Sequence, residues 1–448
     1  MERFDHTVGI IGGGASGIGV AKALTEAGLD YEVLEASSRL GGNWQPDGPA
    51  SKMYGSVHLI SSRRNTQFSD LPMPDGYPHY PRHSQMYAYL SSVAEHSNVA
   101  AHTRFNVRVV QALPDGGGWL CRLDDGTQRR YAHLVVANGL LRIPVLPAVE
   151  GHFDGESVHS AAYKSADLFR GKRVLVVGGG NSGCDIAVDA ALNAAQAFHS
   201  TRRGYHYMPK FVDGKPTQEW LMDIAPKFTD PAAYWDHVSA VFKLAGFDGT
   251  DFGLPAPDHR IDEAHPIMNS QVLYHIGHGD LAPKPDIRRL DGHIVEFTDG
   301  SREEIDLILW ATGFRTDLSF FDPAHFDART ELDRLFLRMV PQRHDNLLFV
   351  GYLNTPSGLG NLLNITARFV AACLRARIAG SDNWQHFLQI KQQPERLDLG
   401  QARFMATDRH RFEVDLWKYI RAVNFVTGKL LSGAAPATAS VREEAVSA

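Results

Sequence analysis

An α/β architecture of two parallel, doubly wound sheets is what the sequence predicts, and three observations predict it. First, Val8–Ile11 is a short apolar strand, followed by the turn GGGASG, an amphipathic stretch from Ile18 to Ala27, and a second strand, Tyr31–Leu34, ending at Glu35. Second, the pattern returns about 165 residues later: Arg173–Val177, the turn GGGNSG, a helical stretch to about Ala195, and a strand Ala197–Ser200. Strand, glycine turn, helix, strand is a βαβ unit, because parallel strands need a crossover connection. Third, the chain closes with a strand at Leu347–Val350 and helices, as if returning to the first sheet. The second unit is therefore expected as an insertion in the first.

Length and composition agree. A chain of 448 residues exceeds one ordinary core, so two domains are the natural expectation. Its apolar share of 44% and charged share of 21% are those of a folded globular protein. The net charge of −6 gives no general drive toward nucleic acid. Cys121, Cys184 and Cys373 lie far apart, which argues against a disulfide framework and suits a reducing cytoplasm. They also offer no closely spaced pair for a dithiol–disulfide reductase. No apolar run approaches the roughly 20 residues that span a bilayer, and the chain enters its first strand right after MERFDH, so neither membrane nor signal peptide is expected. The 21 histidines are scattered without ligand spacing, and no metal is expected.

Between the two units lie a Pro-rich loop (Leu71–Arg82), a helix around Gln85–His96 and a hairpin around Arg122–Tyr131. Beyond the second unit, Tyr205–Asp258 is aromatic and Pro-broken, without clear periodicity; its rings either wall a site or form plain core. Strands at Ile294–Phe297 and Asp306–Leu309 follow, the latter running into Trp310-Ala-Thr-Gly-Phe314. The expected boundaries are 1–165 for the first part of the outer domain, 166–305 for the inserted one, 306–432 for the return with C-terminal helices, and 433–448 for a disordered Ala/Ser/Pro-rich tail.

The glycine turns carry the chemistry. In Gly12-x-Gly14-x-x-Gly17 the first glycine allows a tight turn, the second lets backbone approach a pyrophosphate, and the third lets helix and strand pack closely. The helix amino terminus adds unpaired N–H groups and the positive end of its dipole. Glu35, 23 residues after Gly12, is placed to accept hydrogen bonds from a ribose diol. The second turn, Gly178-x-Gly180-x-Ser182-Gly183, has Thr201 at the same spacing, followed by Arg202 and Arg203. With the repelling carboxylate gone and two guanidinium groups offered, a 2′-phosphate is the expected guest, unless both arginines are merely solvated surface. One charged hydrogen bond then favours NADPH over NADH by roughly ten- to a hundredfold.

Taken in order, GGGASG, Glu35, Arg39-Leu-Gly-Gly-Asn-Trp44, the linker Phe153/Gly155/His159/Tyr163, GGGNSG with Arg202/Arg203, and Ala311-Thr312-Gly313 resemble the flavin-containing monooxygenases, up to about Gly360. The run from HSAAYK through GGGNSGCDIA is also similar to the plant indole-pyruvate monooxygenases. The resemblance implies two Rossmann-like dinucleotide-binding domains, the NADPH domain inserted in the FAD domain. It implies cofactor contacts at Gly12, Gly14, Ser16, Gly17, Glu35, Arg39, Leu40, Trp44, Ser61, Val109, Gly178, Gly180, Asn181, Ser182, Gly183, Arg202, Arg203, Thr312 and Gly313. It further implies hydride transfer from NADPH to FAD, formation of a C4a-(hydro)peroxyflavin with O2, and oxygen transfer to a small amine, sulfide or indole-like aromatic. His159 is then a hinge and packing residue, not an acid or base.

Two rivals remain at this point. Baeyer–Villiger oxidation of ketones is disfavoured by Tyr163-Lys164, where that group has Trp-Pro or Trp-Asp. A non-enzymatic NADP(H)-responsive sensor is disfavoured by the intact second site and the absence of an effector domain. A homodimer is only the usual default. One departure stands out: members commonly carry an asparagine ten residues before the Asp of a Ser/Pro-Asp-Phe-Pro segment, touching flavin and NADP+, and here that position is Ile60. Ser61, Ser62 or Asn65 substitutes, or the contact is missing; Ser62 and Asn65 are taken as the catalytic positions. Loss of that contact implies more futile hydrogen peroxide release.

Overall fold

The computed structural model describes residues 4–432, so the segment 433–448 lies outside the described residues. The first sheet runs Thr103–Arg104, Tyr31–Leu34, His6–Ile11 and Gln128–Val136 in parallel, with Leu347–Phe349 parallel on the far side of Gln128–Val136. The amino-terminal half of that long strand leaves the parallel array and pairs antiparallel with Gly118–Leu123, which pairs with Val109–Asp115. The side-chain period of two explains how both faces are buried. Val8, Ile10, Val33, Val135 and Leu348 pack toward the helices Ala15–Glu26, His83–His96 and Gly360–Ile378, while Ile11, Leu34, Leu134, Val136 and Phe349 pack on the opposite face with Phe321 and Phe326.

The second sheet is entirely parallel, in the order Ala282–Lys284, Gln196–Ser200, Arg173–Val177, Leu307–Trp310, Glu156–His159. Val174, Val176, Leu307 and Leu309 face one cluster, and Leu175, Val177, Ile308 and Trp310 the other. The chain enters this sheet at its edge strand and leaves from the neighbouring one, as an inserted unit requires. Both expected boundaries need moving. Glu156–His159, placed before residue 165, and Leu307–Trp310, placed after 306, belong to the second sheet, because each finds its hydrogen-bond partners there. Glu150–Phe153 also joins this unit through Ile287–Gly292, in a four-stranded sheet with Ile294–Phe297 and Arg302–Glu304.

The aperiodic Tyr205–Asp258 stretch contains two helices, Thr217–Ile224 and Pro231–Leu244. The second starts where Asp230 accepts hydrogen bonds from the Ala232 and Ala233 N–H groups, with Pro231 in the first turn, a start signal legible in the sequence. Trp220 and Phe242 join Met208, Val238 and Met268 in a small core. Those rings are core first. Among the described residues no helix is long and apolar enough to cross a membrane, and no group of His, Cys, Asp and Glu is arranged to hold a metal. The three cysteines are buried and unpaired.

One buried histidine sets a pH dependence. His133, 6% exposed on the long central strand, is held down at about 4 by burial, with Arg377 adding to the effect. The unfolded chain takes up this proton near pH 6.5, so its contribution to stability is full above that pH and falls as pH drops toward 4, by about 3 kcal/mol at most. His133→Leu is expected to flatten the fall in melting temperature over that range; an unchanged slope contradicts the assignment.

Candidate active site between two glycine cradles

The two glycine turns superimpose interaction by interaction. Gly12 N–H donates to Leu34 O and Gly178 N–H to Ser200 O, both at 2.9 Å. Gly12 has φ 103° and Gly178 φ 122°, a region that glycine alone adopts freely. A Cβ on Gly17 would stand 1.9 Å from Gly12 O, and one on Gly183 1.8 Å from Gly178 O. Each turn rests on an alanine from the neighbouring strand: Ala137 N–H donates to Ile11 O, and Ala311 N–H to Val177 O. The helices that follow have no acidic residue in their first turn and no side-chain cap. Their N–H groups are therefore left for an anion. Room exists for it: a Cβ on Gly180 would meet nothing within 4 Å, and one on Gly14 only Gly42 Cα at 3.5 Å.

The cradles differ at the ribose position. Glu35 is buried; its Oε2 accepts from Gly13 N–H at 2.6 Å, and its Oε1 accepts from the Ser37 N–H and Oγ at 2.8 and 2.7 Å. The carboxylate is locked against its turn with lone pairs to spare. Thr201 takes the matching place, 2% exposed, with an Oγ1 that has no partner. Arg202 is exposed and Arg203 half-buried, and neither forms an ion pair among the described residues.

Around the first cradle, Leu40 covers Gly13, the Gly41–Trp44 turn crosses Gly14, and Ser16 Oγ lies beside the Gly351 backbone. Trp44 packs on the first core, whereas Arg39 is exposed. Val109 is a core residue beside Ile11 and Leu34, so any contact it makes with a cofactor is through main chain. Around the second cradle, Asn181 bridges to the 266–268 strand, accepting from Met268 N–H at 2.8 Å. Ser182 is exposed at the helix start. Tyr205, which sequence reasoning missed, covers Gly179 as Leu40 covers Gly13. Thr312 and Gly313 sit elsewhere than at the first cradle. The Thr312 hydroxyl donates to Val145 O, and Gly313 O accepts from Val145 N–H, where the chain crosses between domains. The first sheet's own equivalent is Ala137-Asn138-Gly139, which the sequence reading passed over.

The linker ties the domains together. Tyr163 is fully buried, stacks on Phe169 and donates to Asp189 at 2.9 Å; Ser56 donates to the same carboxylate. His159 meets Phe314 edge-on at 5.1 Å, its Nδ1 accepts from Ala161 N–H, and burial lowers its pKa, which keeps it neutral at pH 7. One helical turn before Asp189, Asp185 is pushed up to about 6 by burial and accepts from Asn269.

The candidates for the place of the missing asparagine differ in their hydrogen bonding. Ile60 packs against the small core of the inserted domain, and Gln218 grips its carbonyl and the Ser62 N–H. Ser61 Oγ pairs with Thr66 Oγ1 at 2.7 Å, and Ser62, wholly buried, caps the Arg63–Thr66 turn. Asn65 differs: its Nδ2 is buried with no partner. Its backbone packs against Gly358, where a Cβ would lie 2.3 Å from Asn65 O, just before the helix Gly360–Ile378 begins. Gly358, Gly360 and Gln218 were not singled out from the sequence; the run Ser357-Gly-Leu-Gly-Asn361 was the one available signal.

Two sheets, each with parallel central strands and an uncapped glycine cradle, define a protein built to bind two dinucleotides. The Flavin-binding monooxygenase-like family model matches residues 5–430, and the chain belongs to that family. It is 30% identical over 329 residues to a probable indole-3-pyruvate monooxygenase, YUCCA9 of Arabidopsis thaliana, covering 69% of this chain and 75% of that one. It is 27% identical over 434 residues to flavin-containing monooxygenase 5 of Oryctolagus cuniculus, covering 91% and 80%. An oxidized steroid monooxygenase bound to NADP shares the fold, with a TM-score of 0.72 at 19% identity, covering 96% of this chain and 98% of that one. The protein is an NADPH-dependent flavin monooxygenase with FAD and NADPH as cofactors.

Proposed function

We propose that the chain transfers one oxygen atom from O2 to a small soft nucleophile, an amine, a sulfide or an indole-like aromatic. The observation that carries this reading is the linker: Tyr163, buried against Phe169 and bonded to Asp189, with Lys164 beside it, is the flavin-containing monooxygenase form rather than the ketone-oxidising form. The relatives named for indole-pyruvate and flavin-containing monooxygenases support it.

In this reading the cradle of Gly12, Gly14 and Gly17, with Ser16 and Glu35, holds FAD on the outer domain. The cradle of Gly178, Gly180 and Gly183, with Arg202 and Arg203, holds NADPH on the unit between Glu150 and Trp310. Bound together, the cofactors supply hydride transfer and activation of O2. The protein's part is positioning and exclusion of water. Ser56, which donates to Asp189, and Tyr54, packed on Tyr163 at 5.3 Å, hold the outer domain against the NADPH domain. Gln218 fixes the Ile60–Ser62 backbone from the inserted side. Next to it, Asn65 offers a buried amide donor without a partner.

Substrate-stimulated NADPH oxidation with product masses tests the reading. Sulfoxide, N-oxide or hydroxylated product at one per NADPH supports it, whereas lactone from a cyclic ketone as the main product overturns it. Asn65→Ala is expected to keep its flavin but to raise the peroxide formed per NADPH by about three- to tenfold, the worth of one neutral hydrogen bond. Unchanged coupling would remove Asn65 from the site.

A further inference from the structure

Three hydrogen bonds from side chains of the inserted unit hold the main chain of Leu59–Ser62 in the outer domain. The Lys210 ammonium donates to Leu59 O at 3.2 Å, the Gln218 amide donates to Ile60 O at 3.2 Å, and Gln218 Oε1 accepts from Ser62 N–H at 2.9 Å. The Ile60 side chain adds an apolar contact, packing against the core of Met208, Trp220 and Met268. The position that departs from the family's asparagine is thus an anchor to the NADPH domain.

Both sides of the grip are braced. Lys210 and Gln218 flank one small hairpin, Phe211–Val212 against Lys215–Pro216, and the buried Thr217 closes it, its N–H donating to Lys210 O at 3.0 Å and its hydroxyl to Pro209 O. Gln218 is buried, and the Lys210 ammonium lies 4.9 Å from the centre of the Tyr80 ring. On the outer side Ser62 is the joint. The residue whose N–H Gln218 holds also caps the Arg63–Thr66 turn, its Oγ accepting from Asn65 N–H at 3.4 Å and its carbonyl from Thr66 N–H at 3.0 Å. That turn carries the buried, unpartnered Asn65 amide. Removing either gripping side chain leaves a main-chain group of the segment without its partner, and such a group shifts until it finds another.

We propose that Lys210 and Gln218 are positioning residues for oxygen transfer: from the NADPH domain they set where the Asn65 amide stands, and so how little reducing power is lost as peroxide. In that loss NADPH, a proton and O2 give NADP+ and hydrogen peroxide, and no oxygen reaches the substrate. The inference rests on the reading of Asn65 given above. Neither residue touches substrate or cofactor; each acts through the 59–65 main chain.

Variants of the flavin-loaded protein test it. Gln218→Leu and Lys210→Met are expected to keep one FAD per chain and to raise the peroxide formed per NADPH by about three- to tenfold. Lys210→Arg, which keeps a donor, is expected to stay near the wild type. The double variant Gln218→Leu/Asn65→Ala is expected to release no more peroxide than Asn65→Ala alone, because residues acting through one contact are not additive. A fold that was merely loosened would add the two losses. Hydrogen exchange reads the grip without turnover: in Gln218→Leu the Ser62–Thr66 amides are expected to exchange about five- to tenfold faster. Lys210→Met carries the test where Gln218→Leu does not fold. Unchanged coupling in either single variant, or additive losses in the double one, overturns the proposal while Asn65 keeps its place. Unchanged coupling in Asn65→Ala removes Asn65 itself, and the proposal with it.

Discussion

Gly17→Ala is expected to yield a protein that no longer retains flavin, while Gly183→Ala stays yellow and loses its grip on NADPH. The cause is the same contact made twice. A methyl group at either position would stand under 2 Å from the carbonyl oxygen of the turn's first glycine, Gly12 or Gly178. The obstructing atom is backbone, fixed by the strand before it, so it cannot swing aside as a side chain would. The helix must retreat, and its N–H groups leave the position of the pyrophosphate. Overpacking of this kind costs about 1–3 kcal/mol or more, here concentrated on the binding geometry. For NADPH that corresponds to a KM raised by roughly five- to more than a hundredfold. The paired result matters more than either magnitude, because it separates the two sites. Flavin content after purification and NADPH saturation curves measure it. If both variants kept flavin and normal KM, the cradles would not be the cofactor sites.

The second large effect concerns which nicotinamide cofactor is used. Thr201→Glu is expected to lower kcat/KM for NADPH by about a hundredfold and to change NADH by far less. Glu35 shows what the new side chain would do: its carboxylate turns back onto the N–H of the middle glycine at 2.6 Å. At Thr201 the site is equally buried, and the hydroxyl there has no partner to lose. A carboxylate in that position puts negative charge where a 2′-phosphate must sit, opposing Arg202 and Arg203. Discrimination of this sort comes from repulsion as much as attraction. Steady-state rates with the two cofactors give the ratio; a ratio that does not move would mean that the 2′-phosphate lies elsewhere.

Much of this site was legible in the sequence because its parts are local. A glycine turn, the helix after it and the residue 23 positions on are bound within one βαβ unit, so spacing alone brings Glu35 to Gly13 and Thr201 to the second turn. The insertion was legible too, since a repeated unit between two halves of another leaves few topologies. What spacing did not convey was partner choice at long range. The sequence does not show Glu156–His159 as a strand, and it places Asp306–Leu309 with the outer domain; only their pairing assigns both to the inserted sheet. The same holds for Ala311-Thr312-Gly313, which underlies the second cradle rather than the first. Ser61, Ser62 and Asn65 look alike in the sequence, because which of their polar groups the local turn engages depends on contacts that spacing does not convey. The helices of 205–258 escaped notice because Pro and aromatic residues masked their period, although Asp230-Pro231 marked one start.

In this reading, two dinucleotide cradles on one chain pass electrons from NADPH to FAD. Anaerobic titration of the purified protein with NADPH tests it most directly. One FAD per chain, with its visible absorbance bleached by one equivalent of NADPH, is the expected result. A chain that refuses FAD in excess, or whose bound flavin stays oxidised when NADPH is added, contradicts the account.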